Sequence, residues 1–163
     1  MSELLGTYLR DHLGGAQIAV QLLEGMCTHQ KDPRYREFAK GLLPEIQADD
    51  NALRSIIESI SEDPSAIKNA GGWLFEKLTR LKLGHTRSVG LDLFESIEML
   101  SLGIAGKRSL WKALQVVARA DRRLGKFDFE SLLRRADDQF QLVEQERLQL
   151  ASRVFATSNE DQK

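Results

Sequence analysis

Residues 35–60, YREFAKGLLPEIQADDNALRSIIESI, decide the fold class. Within them Tyr35, Ala39, Leu42, Ile46, Asp49, Leu53, Ile56 and Ile60 recur at alternating spacings of 4 and 3. That period marks one buried face of a long helix, and it leaves a carboxylate, Asp49, inside the apolar stripe. Asp32 followed by Pro33 supplies an N-cap and a first helical residue, so the helix is predicted to start there and run to about Ile60. Pro44 lies inside it, lacks a backbone donor, and is expected to bend the helix.

Upstream, Leu5, Leu9, His12, Ala16, Ala19, Leu23 and Met26 form the same pattern and predict a first helix over residues 3–29. If the two helices make a hairpin turning near residues 30–31, Leu5 faces Ile56, Met26 faces Tyr35, and His12 faces Asp49. A buried His12–Asp49 contact is the expectation, with an ionised Asp49 raising the histidine pKa against the lowering that burial causes. Its bland role is to fix the register of the hairpin. Gly14 and Gly15 each cost up to about 1 kcal/mol relative to alanine in a helix, and are expected to admit a close neighbour.

Downstream, Leu93, Ile97, Leu100, Ile104, Lys107, Trp111, Leu114 and Ala118 predict a third long helix over 91–119. Asp128 is a fair N-cap for a fourth, with Phe129, Leu133, Ala136, Phe140, Val143, Arg147, Leu150 and Val154 on its inner face. Asp121, Arg122, Arg123 and Gly125 belong to the polar turn between them. Asp63-Pro64-Ser65, Ala70-Gly71-Gly72 and Gly84 interrupt the segment 61–90, which retains a short predicted helix from Trp73 to Leu83. No alternation of strand type occurs. The chain reads as an all-α four-helix bundle over 1–156, with a crossover along its outside and a polar tail at 157–163.

With 163 residues, 42% hydrophobic and 29% charged, the chain fits one soluble domain that needs no disulfide or metal to build its core. Cys27 is the sole cysteine, which excludes an internal disulfide framework. No apolar run approaches the ~18 residues of a membrane span. Glu3, Arg10, Asp11 and His12 break up any signal-peptide pattern, so a cytoplasmic location is expected. The net charge of −1 conceals an acidic first part, with 6 basic and 11 acidic residues over 1–64, and a basic stretch with 14 against 7 over 65–135. Complementary packing of oppositely charged helices accounts for this asymmetry, as would a basic surface for an anionic partner.

Two long hairpins joined by a long crossover match the layout of ferritin-like bundles. The start of the first helix, Tyr8-Leu9-Arg10-Asp11-His12-Leu13-Gly14-Gly15, also resembles a group of bacterial ferritin-like proteins without assigned function. Over essentially the whole chain the resemblance implies the scaffold. Active members bind two iron or manganese ions with a glutamate from each of two helices and a Glu-x-x-His from each of the other two. Here Glu45 is followed by Ile46-Gln47-Ala48, the fourth helix offers Asp137, Asp138 and Glu144, and neither has the histidine. Ala16 and Ala19 stand where the first helix should carry its carboxylate, while Glu95 and Glu98 remain on the third.

The leading expectation is a non-enzymatic structural or interaction module, acting as a homodimer, with no cofactor. An alternative is a metal-dependent oxidoreductase using iron or manganese at a reduced site of His12, Glu45, Asp49, Glu95 and Glu98. A further alternative is an anion- or nucleic-acid-associated protein using Lys77, Arg80, Lys82, His85 and Arg87 on the crossover, or Arg122, Arg123 and Lys126 in the turn. Neither patch is interleaved with exposed aromatics, which disfavours single-strand binding. His12 as a phosphoacceptor is disfavoured by its place in an apolar seam. Lys107 and Arg147 interrupt core stripes. Register places Lys107 near Asp137 and Glu144, and Arg147 near Glu98 and Glu144, so both are expected in interhelical charge networks.

Overall fold

The computed structural model describes residues 3–61 and 89–156. The crossover segment 62–88, with its expected short helix and its basic run from Lys77 to Arg87, lies outside the described residues, as does the 157–163 tail. Among the described residues there are four long helices: α1 (Glu3–His29), α2 (Pro33–Ile60), α3 (Val89–Val117) and α4 (Phe129–Ala156). A 3₁₀ turn, Arg122–Leu124, joins the last two. There is no strand among the described residues.

Local chemistry sets the ends. The Asp32 carboxylate accepts from the Arg34 N–H at 2.9 Å, and Pro33 opens α2 where no intrahelical donor is needed. The helix continues through Pro44, which is exposed, so the carbonyl that loses its partner there can be hydrated. Asp128 caps α4 by accepting from the Ser131 N–H at 2.9 Å. In the α3–α4 turn Asp121 accepts from the backbone N–H of Arg123 at 3.0 Å and from its guanidinium at 2.6 Å. Those bonds to Arg123 hold the Asp121 carboxyl down to about 2. Arg123 also donates to the Ile60 carbonyl at 3.3 Å, which ties the turn to the end of α2, and Leu124 is buried beneath it.

The core divides into two clusters. One gathers Leu9 and Leu13 of α1, Leu53, Ile56, Ile57 and Ile60 of α2, Leu110, Trp111 and Leu114 of α3, and Phe129, Leu132 and Ala136 of α4. The other gathers Leu23 and Met26, then Tyr35, Ala39, Leu42 and Ile46, then Leu93 to Ile104 of α3, then Val143 and Leu150. Between the clusters each helix changes character. There α1 carries His12, Gly15, Ala16 and Ala19, α2 carries Asp49, α3 carries Lys107, and α4 carries Gln139. A polar layer thus crosses the middle of the molecule.

All eight positions of the α2 stripe are buried, Asp49 included. On α4 the buried positions are Phe129, Leu132, Ala136, Gln139, Val143 and Leu150, so the inner face passes through Leu132 and Gln139, while Leu133 and Phe140 are half-buried beside it. Both phases satisfy a 3-4 spacing. The apolar choice misses the structural one because a glutamine occupies an inward position.

Candidate functional site

The polar layer is organised around Asp49, which is only 2% exposed. A carboxylate so placed is costly unless cations and donors surround it. The Lys107 ammonium donates to Asp49 Oδ2 at 2.5 Å. From α4, Arg135 approaches Asp49 Oδ1 with both Nε, at 2.8 Å, and Nη2. Lys107 also donates to Gln139 Oε1, and Gln139 Nε2 donates onward to Glu45 Oε2 at 3.0 Å. Gln139 therefore accepts on one side and donates on the other, so it links the cation of α3 to the outer carboxylate of α2. Two cations balance two carboxylates. Burial pushes the Lys107 ammonium below its ordinary pKa, with the Asp49 carboxylate opposing that shift.

This arrangement corrects two sequence expectations. Asp49 spends its oxygens on Lys107 and Arg135, and the expected His12–Asp49 pair gives way to them. His12 is half-buried and meets the Tyr8 ring edge-on at 4.6 Å between centroids. Its pKa is lowered, chiefly by burial, with Asp11 pulling the other way, so the expected Asp49-driven rise is replaced by a fall. Lys107 bonds across the molecule to Asp49 rather than to Asp137 or Glu144. Those two carboxylates are taken by arginines: Asp137 by Arg108, whose guanidinium lies 4.7 Å from the Phe140 ring centre, and Glu144 by Arg147. The buried acid has the greatest need of a cation, and the long lysine stem reaches it.

Arg147 behaves as its register predicts. It donates to Glu144 Oε2 at 2.9 Å and to Glu98 Oε1 at 3.4 Å, and Ser101 adds a 2.9 Å bond to Glu144. The conjectured metal ligands are consequently split. Asp49 and Glu45 belong to the Lys107 network, Glu98 belongs to the Arg147 network, Glu95 is half-buried on α3, and His12 lies against Tyr8. Among the described residues, no group of three or more His, Cys, Asp or Glu side chains is placed to hold a metal ion. Arg135 and Gln139 were not singled out from the sequence. The signal available for Gln139 was the second 3-4 phase of α4, which passes through it and not through Arg135.

Beside the network lies a cavity of about 380 Å³, walled by α1, α2 and α3. His12, Asp49 and Lys107 are on its lining, with Leu53, Leu110 and Trp111 among its apolar walls. The exposed lining residues Tyr8, Asp11 and Gly103 mark its mouth. A Cβ built on Gly15 or Gly103 meets nothing within 4 Å, and one on Gly106 comes no nearer than 3.9 Å to His12. Gly15 therefore borders open space, where sequence reasoning expected a closely packed neighbour.

Comparison with protein-family models, curated proteins and solved structures returns no match.

Proposed function

We propose that this chain is a ferritin-like bundle of two antiparallel hairpins, α1–α2 and α3–α4, in which an internal ion network stands where active relatives hold metal. On this reading it serves as a non-enzymatic structural or interaction module. The observation that carries the proposal is the occupation of Asp49 by Lys107 and Arg135. Two side-chain cations compensate the buried Asp49 carboxylate, so it needs no metal ion to offset its charge. A metal ion at Asp49 would have to displace an ammonium and a guanidinium from a site already neutral overall. The reading as an iron or manganese oxidoreductase needs His12, Glu45, Asp49, Glu95 and Glu98 to converge, whereas Asp49 and Glu45 join the Lys107 network, Glu98 meets Arg147, and His12 lies against Tyr8.

Mass-spectrometric metal analysis tests this on untagged protein expressed in medium supplemented with iron and manganese. Occupancy near zero is expected. About two metal ions per chain, the stoichiometry of a dinuclear centre, would overturn the proposal.

A further inference from the structure

The cavity walled by α1, α2 and α3 borders Asp49 and Lys107 of that network, but its empty space has no role in the reading above. We propose that it binds a small, uncharged, largely apolar molecule bearing one hydrogen-bond acceptor, such as a ketone oxygen, placed against the Lys107 ammonium. Its volume, about 380 Å³, falls within the range of roughly 300–1,000 Å³ found for small-molecule sites. The walls supplied by Ile46, Leu53, Ile104, Leu110 and Trp111 favour an apolar body.

Two helical glycines line this space, Gly15 half-buried and Gly103 exposed. Gly15 and Gly103 sit inside long helices, where alanine is the better helix former. Neither glycine is required by a close neighbour, since an added Cβ at either would meet nothing within 4 Å. Ala16 and Ala19 continue the small-residue wall.

Polar groups at the buried end define the chemistry of the ligand. Lys107 carries three N–H donors. Asp49 and Gln139 take two, which leaves one for an acceptor in the cavity that Lys107 lines. The charge of Lys107 is already balanced by Asp49, and Asp11 stands at the mouth, so an anion gains no net attraction from the lining. A cation would meet Lys107 itself. An uncharged acceptor suits both constraints, and neutral His12, its pKa lowered by burial, adds a second polar wall without adding charge.

Fluorescence titration with 6-propionyl-2-(dimethylamino)naphthalene, an uncharged naphthalene carrying one ketone, tests the site. Saturable binding of one probe per chain with blue-shifted emission is expected. Gly103→Leu, at the exposed edge of the cavity on α3, and Gly15→Leu, on its α1 wall, should each weaken binding by at least about tenfold. Leu102→Ala, an exposed position outside the lining, should leave binding unchanged. The matching naphthalene with propyl in place of the propionyl group should bind about tenfold less tightly. Circular dichroism checks that each variant is folded, and a folded member of the Gly103/Gly15 pair suffices for the test. Absence of saturable binding, binding unaltered by a folded cavity-filling variant, equal binding of the ketone-free analogue, or tighter binding of anionic 8-anilinonaphthalene-1-sulfonate would each overturn the proposal. Metal content plays no part in these readouts, so the two proposals fail separately.

Discussion

At the scale of single residues, Asp49 carries the most consequence. Removing one member of a buried ion pair costs about 3–5 kcal/mol, because the remaining charge is left without compensation. Lys107→Met should fall near the lower end of that range, about 3 kcal/mol by urea unfolding, since Arg135 still faces Asp49. Combining it with Asp49→Asn should reveal a coupling above about 1 kcal/mol, whereas His12→Ala and Asp49→Asn should be close to additive. Additivity for Lys107 with Asp49 would show that their contact contributes nothing to stability. His12 gives a separate signal in pH. Burial lowers its folded pKa below the ordinary 6.5, so the unfolded chain takes up the proton first. Its contribution is whole above pH 6.5 and is lost as pH falls through the lower folded value. Between about pH 7 and pH 5 the native protein should therefore lose stability relative to His12→Gln. A constant difference between the two proteins over that range would assign the pH dependence to other groups.

At the scale of elements, the helix starts follow from side chains that replace missing backbone partners. Asp32→Ala removes the acceptor of the Arg34 N–H and should cost about 1 kcal/mol, measured as a lowered thermal midpoint. An unchanged midpoint would mean that tertiary packing alone fixes the start of α2. Periodicity located these helices well because a buried face must recur near every 3.6 residues. The α2 stripe was legible in full, and the start of α4 was legible from Asp128. The inner face of α4 was not. Leu133 and Phe140 looked more core-like than Leu132 and Gln139, and apolarity alone cannot recognise a glutamine that is inward because a lysine and a glutamate require it.

At the scale of the whole molecule, two apolar clusters enclose a layer that is charged on one side and hollow on the other. The sequence by itself determined the helices, their caps and the presence of polar residues at mid-length, because spacing and capping act over a few neighbouring residues. It also placed Arg147 correctly against Glu98 and Glu144, all three lying on the adjacent helices α3 and α4. Only the tertiary structure decided which partner Asp49 takes. Pairing α1 with α2 offered His12, but Lys107 and Arg135 arrive from α3 and α4, and two full charges compensate a buried carboxylate better than a half-buried imidazole that burial keeps neutral. The cavity was likewise a tertiary outcome. Gly15 and Gly103 are far apart in the chain, and only the packed helices show that they border the same empty space rather than a tight crossing.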